Sequence, residues 1–270
     1  MTHVTTIIVS FNTAAELSDC LLSLDRFGPT RGHDVIVVDN ASSDDSVRVV
    51  RERFPTVRVI ESDRNLGFGA ANNVGMRLAT GDLCLLLNSD TIVGPGALDT
   101  LVDTLLASPD LAAVGPRIVD GEGRAELSFG GMMGPWNELR QKIVGRLYDR
   151  RFPPVVSWVD RATTTPGYPD WVSGACLLVR RADALAAGLF DERYFLYAED
   201  VDFCAALRGL GKRVGFCPAS EIVHLRGRSG RHRPAATERA YRQSQVRFYE
   251  KHHPRWAGLL KLYLRVRGRV

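Results

Sequence analysis

Two short runs, "DVIVVDN" at 34–40 and "LCLLLNSDT" at 83–91, constrain the fold more than any other part of the chain. Each is apolar at nearly every position, too short for a buried helix, and ends abruptly in amides and carboxylates. A strand without polar alternation has to be covered on both faces, as in a parallel sheet layered between helices. Further runs fit the same scheme. Residues 4–11 and 57–62 read as strands, with helical patterns at 14–24, 43–53 and 70–78 between them. Strands alternating with helices imply βαβ units and a largely parallel sheet.

The rhythm changes after the middle of the chain. Pro, Gly and Trp crowd 130–169, with a helix expected near 136–148, and "WVSGACLLVRR" at 171–181 reads as one strand. "EDVDFCAALRGLG" reads as a helix stopped by glycine. "KRVGFCP" and "EIVHL" read as two short strands, and the chain from Pro234 as a basic helical appendage.

Composition removes several function classes. The N-terminus lacks the basic and apolar regions of a signal peptide, and no apolar run approaches the roughly 18 residues needed to span a bilayer. Cys20, Cys84, Cys176, Cys204 and Cys217 are odd in number, scattered and set among apolar neighbours. They read as small buried hydrophobes of a reducing cytoplasm, not as a disulfide framework or zinc site. The net charge is +4, and from Gly209 onward basic residues outnumber acidic ones about five to one. That quarter is where an anionic partner would be met.

Ligands of open α/β sheets bind outside the carboxyl ends of the strands. Three such ends carry polar groups: Ser10-Phe11-Asn12, Asp39-Asn40 and Asn88-Ser89-Asp90. Any of them also suits a helix cap. Asp90 closing a buried strand can equally bind a hard cation, with His224 at the end of "EIVHL" as a second ligand. "RNLGFGAANNVG" at 64–75 offers glycines and a helix N-terminus to an anion. It follows the third strand and has Asn72 in the sixth position, so it is not a dinucleotide fingerprint. Glu199 and Asp200 open a helix, where the dipole favours carboxylates, and Asp200 is also a candidate general base. Asp202 lies about 200° further round that helix and is assigned a structural task. Tyr194, Phe195 and Tyr197 either floor a sugar or pack on the sheet.

Taken in order, "VSFN", "VVDNASSDDS", "NLGFGAANNVG", "LLLNSDT", "WVSGACLLVRR", "FLYAEDVDFCAALRGLGKR" and "VHLRGRSG" resemble the motif set of family-2 inverting glycosyltransferases with a GT-A fold, and within it the rhamnosyltransferase-like branch. The resemblance covers roughly 4–230. It implies a glycosyltransferase domain over 1–230, with a nucleotide-binding half over about 1–115 and an acceptor-binding half over about 116–230, followed by an extension over 231–270. By position, it implies donor contacts from Ser10, Phe11, Asn12, Asp39, Asn65, Gly67, Asn88 and Ser89. It implies a metal, Mn²⁺ or Mg²⁺, at Asp90 and His224, and a catalytic base at Asp200. Trp171, Gly174, Glu199, Arg226 and Arg228 are assigned to acceptor or phosphate. Asn88 departs from the family's D-x-D pattern and leaves Asp90 as the motif's single carboxylate.

The resemblance favours a deoxythymidine-diphosphate rhamnose donor, with a uridine-diphosphate hexose second. The acceptor is expected to be a saccharide or polyprenyl-linked glycan of the cell surface, used at the inner face of the cell membrane. In the tail, Trp256, Leu259, Leu260 and Tyr263 recur at helical spacing among Arg255, Lys261, Arg265 and Arg267. Such a helix either lies on an anionic membrane or docks on the core or on a second copy in a homodimer. Three rivals fit less well, one of them a degenerate scaffolding glycosyltransferase-like domain, against which intact Asp39, Asp90, Asp200 and His224 argue. A sugar-phosphate nucleotidyltransferase would carry a glycine-rich basic run where "VSFNTAAEL" stands. A non-catalytic anion- or nucleic-acid-binding protein would organise its arginines into a binding motif, so no nucleic-acid partner is expected.

Overall fold

The computed structural model describes residues 2–225 and 234–267. Strand β1 (His3–Ser10) leads through α1 (Ala14–Phe27) to β2 (Gly32–Asp39), and α2 (Ser46–Arg53) leads to β3 (Arg58–Glu61). Helix α3 (Phe68–Leu78) returns to β4 (Leu83–Asn88), followed by β5 (Thr91–Val93), α4 (Ala97–Leu106) and β6 (Leu111–Val119). The second half holds β7 (Phe129–Gly130), α5 (Pro135–Asp149), α6 (Pro153–Thr164), β8 (Trp171–Val172), β9 (Cys176–Arg180) and α7 (Arg181–Ala186). It closes with α8 (Glu199–Gly209), β10 (Arg213–His224), α9 (Pro234–His252) and α10 (Pro254–Val266).

Eight strands form one mixed sheet in the order β3-β2-β1-β4-β9-β6-β10-β5, while β7 and β8 pair separately. The β3-β2-β1-β4 half is parallel throughout. Strand β9 enters antiparallel to both β4 and β6. The sheet is buried on both faces, as the apolar runs require. Leu83, Leu85 and Leu87 pack with α1 and α4 on one side, and Cys84 and Leu86 with α3 and α8 on the other. Truncating a fully buried leucine such as Leu86 to alanine is expected to cost about 2–5 kcal/mol. All five cysteines are buried and free, and burial pushes the Cys20 and Cys84 thiols up to about 12.

After β4 the chain departs from the sequence reading in several places, among them an unexpected helix, α6. The expected strand at 171–181 is two strands in two sheets, broken by the bend Ser173-Gly174-Ala175. "KRVGFCP" and "EIVHL" are one 12-residue strand, β10, carrying an irregularity between Cys217 and Glu221 that re-aims its end. Strand β6 escaped notice because Gly115 and Pro116 sit inside it. Gly115 is required there, since a Cβ would lie 2.7 Å from the Val172 side chain.

The C-terminal helices are docked on the core. Phe248 and Tyr249 of α9 and Ala257 of α10 are buried with Tyr194, Ala198 and Val201. Asp202, which faces away from the sheet edge, receives Lys251 Nζ (2.8 Å), lies 2.6 Å from His252 Nε2 and accepts from the Tyr194 hydroxyl (3.3 Å). Its structural task is to hold α9 against α8.

Candidate active site

Strand register sets the three polar ends side by side. Ser10 pairs with Asp39, and Val9 with Asn88, so β1, β2 and β4 finish at one edge. Asn12, with φ 55°, accepts from the Ser43 N–H (2.7 Å), and its own N–H donates to the Ser42 hydroxyl (3.0 Å). Asp39 Oδ2 accepts from the Ser42 N–H (2.9 Å), while Oδ1 is buried without a hydrogen-bond partner. A buried carboxylate oxygen left unpaired is costly unless a ligand satisfies it. An open hollow of about 510 Å³ adjoins it, lined also by Ser42, Asp44, Arg48 and Glu61.

The 64–67 loop is fastened to this edge by Asn40, which the sequence reading named as a polar strand end without assigning it a contact. Its Nδ2 donates to Asn65 Oδ1 (2.9 Å) and to the Gly67 carbonyl (3.2 Å), and its Oδ1 accepts from the Leu66 N–H (2.8 Å). Gly67 has φ 86°, and a Cβ there would lie 2.3 Å from the Phe195 carbonyl oxygen. The glycine therefore admits the Phe195 backbone, which accepts from the Phe68 N–H (2.9 Å).

Past Asn88 the chain turns into β5, whose antiparallel pairing sets Thr91 opposite His224. The Leu225 N–H also donates to the Asp90 carbonyl (2.9 Å). These bonds bring His224 Nε2 to 3.1 Å from Asp90 Oδ1 and 3.4 Å from the Asn88 amide nitrogen. On the far side of the ring, Nδ1 lies 3.6 Å from Glu126 Oε2. Burial disfavours the charged form of His224, but Asp90 and Glu126 outweigh it and raise its pKa to about 9. The charge that favours a proton on Nε2 equally favours a divalent cation in its place.

The donor set fits such a cation. A carboxylate and an imidazole face one another, and a second carboxylate stands behind the ring at ion-pair distance, close to a common outer-shell arrangement around metals. Among the described residues no three His, Cys, Asp or Glu side chains converge on one point. The other ligand positions would fall to substrate phosphate oxygens and water, as is usual for Mg²⁺.

Asp200 stands at the same edge. Tyr197 and Ala198 both have positive φ, 68° and 66°, a strain of about 1–3 kcal/mol each that surrounding contacts must hold. The Ser244 hydroxyl of α9 donates to the Leu196 carbonyl (2.8 Å), and the Tyr241 and Tyr197 rings meet edge-on. Half-buried Asp200 then accepts from the Gly174 N–H at Oδ2 (3.0 Å) and from the Val201 N–H at Oδ1 (2.8 Å). Burial raises its pKa above the usual carboxylate value, against the lowering effect of these amides. Gly174 belongs to the bend between β8 and β9, and the next residue, Ala175, accepts from the Asn88 N–H (2.9 Å). Asp200 and Asn88 are thus held by consecutive residues.

Other assigned residues are placed differently. The Ser10 and Ser89 hydroxyls are buried and meet through Thr13, at 3.1 and 2.9 Å, inside the protein. Glu199 is buried beside Gly69, and burial, with Asp200 nearby, holds its pKa well above normal. Gly174 contacts Asp200 itself. Trp171 donates through Nε1 to the Gly131 carbonyl (3.0 Å), and Phe11 is half-buried. Tyr194 packs in the core while Phe195 and Tyr197 are exposed. Arg226 and Arg228 lie outside the described residues.

Comparisons with known proteins give the chain its family and its fold. The profile of Glycosyl transferase family 2 matches residues 5–156. Over 95% of its length, the chain is 30% identical to the N-acetylglucosaminyl-diphospho-decaprenol L-rhamnosyltransferase of Mycobacterium tuberculosis, covering 87% of that protein. The chain belongs to glycosyl transferase family 2. This glycosyltransferase is also 28% identical over 83% of its length to the Myxococcus xanthus O-antigen biosynthesis protein RfbC, of which it spans 17%. Its fold is that of GT-A enzymes. It superposes on GalNAc-T7, solved with UDP, GalNAc and Mn²⁺, with TM-score 0.67 and 16% identity, covering 93% of this chain and 48% of that one. The Pyrobaculum calidifontis mannosyltransferase PcManGT, in complex with GDP-Man and Mn²⁺, gives TM-score 0.64 and 20% identity, covering 96% of this chain and 68% of that one.

Proposed function

We propose that this glycosyltransferase moves rhamnose from deoxythymidine-diphosphate rhamnose to a hydroxyl of a polyprenyl-diphosphate-linked saccharide, with inversion, at the cytoplasmic face of the membrane. The observation that supports the reaction type is the linkage of Asp200 to Asn88 through Gly174 and Ala175, which sets the proposed base beside the strand end assigned to the donor diphosphate. The sugar and the lipid-linked acceptor rest on the name of the mycobacterial relative, and a uridine-diphosphate hexose is the second donor.

Asp39 Oδ1 would accept an N–H of the donor base, and the Asn40–Asn65 bond would hold the 64–67 loop against the nucleotide. Asp90 and His224 would hold a divalent ion, which when bound supplies Lewis-acid stabilisation of the diphosphate charge. Arg226 and Arg228, two and four residues past His224 in the sequence, would pair with phosphate oxygens. As the acceptor oxygen bonds to the anomeric carbon, its proton passes to Asp200 and the bond to the diphosphate breaks. Its pKa, raised by burial, suits a base better than an ordinary aspartate would. Attack opposite the leaving group inverts the anomeric centre.

The test is a thermal-shift and transfer screen of nucleotide sugars with and without Mn²⁺, with the product anomer read by NMR. Stabilisation by the deoxythymidine donor and an inverted product are expected. A retained configuration would overturn the single-displacement mechanism, and stabilisation by the uridine donor alone would replace the rhamnose assignment.

A further inference from the structure

Helix α10 hides only Ala257 and Leu264 and turns a long apolar row outward: Trp256, Leu259, Tyr263 and Val266, with Leu259 59% exposed. Arg255, Arg265 and Arg267 flank that row in exposed positions, and the helix carries no acidic residue. Helix α5, which the sequence reading did not connect to the tail, does the same. Trp136, Leu139 and Ile143 form an outward stripe, Trp136 being 77% exposed. Around it Arg140, Lys142, Arg146 and Arg150 are exposed; of the helix's two acids Glu138 is buried and Asp149, at the far end, is exposed. The starts of the two helices touch: His253 Nε2 meets the Met133 carbonyl at 2.8 Å, and a Cβ on Gly134 would lie 3.2 Å from that ring.

We propose that the outward faces of α5 and α10 together form a docking surface for an anionic lipid bilayer. Indole and phenol rings favour the water–lipid boundary, apolar side chains enter it, and flanking arginines pair with lipid phosphates. A second copy of the chain is the poorer occupant, because a two-fold pairing of α10 would press two acid-free, arginine-bearing helices together. No helix among the described residues is long and apolar enough to cross a membrane, so contact through these helices is peripheral. The surface adjoins the site: Met132, Met133 and Leu260 pack against the buried cluster that contains Ala198 and Val201, which bracket Glu199 and Asp200. A protein resting on α5 and α10 would thus hold its base at a fixed height above the lipid. The inference rests on the lipid-linked acceptor proposed above only for its biological sense; the surface chemistry stands by itself.

The experiment is co-sedimentation of the full chain with phosphatidylcholine vesicles, with or without phosphatidylglycerol. It compares the wild type with Leu139→Ser/Ile143→Ser and with Leu259→Ser/Tyr263→Ser. These side chains are exposed, so an unchanged thermal melt is required of both variants, and Leu259→Ser or Leu139→Ser alone serves if a double variant melts early. Binding to the anionic vesicles is expected to exceed binding to neutral ones by about tenfold, and each variant is expected to lose about tenfold. Equal binding by wild type and both variants overturns the proposal. So does a wild type that ignores anionic vesicles, or variants that only convert a lipid-free dimer to monomer in sedimentation velocity. Vesicle binding without transfer to a lipid-linked acceptor keeps the surface and removes that acceptor; transfer without vesicle binding does the reverse.

Discussion

Asp200 Oδ2 accepts a hydrogen bond from the Gly174 N–H at 3.0 Å, and that amide is available because the chain breaks there between two sheets. A strand running unbroken from 171 to 181 would have tied the amide into a ladder. The bend frees it to aim a carboxylate.

Asp200→Asn keeps the shape of the side chain and removes its basicity. Donor affinity by calorimetry is expected to be unchanged while turnover falls about 10²-fold or more. Near-normal turnover would remove Asp200 from the chemistry. Because burial raises its pKa, the protonated, inactive form persists to higher pH than for an ordinary aspartate. The acid limb of kcat/KM against pH should therefore lie above that of an ordinary aspartate and vanish in the Asn variant.

Gly174→Ala tests the aim of that carboxylate. The new Cβ would sit 3.0 Å from the Phe68 ring, which must give by a few tenths of an ångström, and at ordinary contact, 3.5 Å, from Asp200 Cβ, so a backbone shift that relieves the ring contact moves the Gly174 N–H that aims the carboxylate. A displacement of this kind is expected to lower kcat by about tenfold or more with little change in donor KM. A fall in donor affinity with kcat intact would place Gly174 in donor binding.

Glu126→Gln removes the charge behind His224 while keeping its shape. The Mn²⁺ concentration for half-maximal activity is expected to rise about 10- to 100-fold, and chelation of the wild type should abolish most transfer. Full activity in chelator would dismiss the metal.

Asp39→Ala deletes the unpaired oxygen at the nucleotide edge. Donor dissociation constants should rise about 10- to 100-fold, the worth of a hydrogen bond to a charged group. An unchanged affinity would leave the buried oxygen unexplained.

Asp202→Ala removes the anchor shared by Lys251, His252 and Tyr194. Lys251 is partly exposed, so solvent screening tempers its share. A loss of about 2 kcal/mol is expected from the hydrogen bonds to the charged group, read as a lower Tm.

The parallel half of the sheet was legible because uninterrupted apolar runs permit few other fates, and its three polar ends were legible because they terminate such runs. Asp200 was assigned through a local motif. Glu126 carried no such signal. It lies in the polar stretch "DGEGRAEL", and only the pairing of β10 with β6 and β5 brings His224 between it and Asp90. The Gly174 break was invisible because "WVSGACLLVRR" satisfies strand propensity throughout. The partners of Asp202 are about fifty residues away in sequence, a distance over which periodicity says nothing.

The docking of α9 on α8 changes how the last forty residues can be handled in the laboratory. A shortened chain ending near 230 would strip the cations from a charge 2% exposed and uncover the surface that Phe248 and Tyr249 occupy. Loss of vesicle binding or of activity in such a fragment would report unfolding around the base, not the absence of an adhesive tail. Only point substitutions on the outer faces can tell those two causes apart.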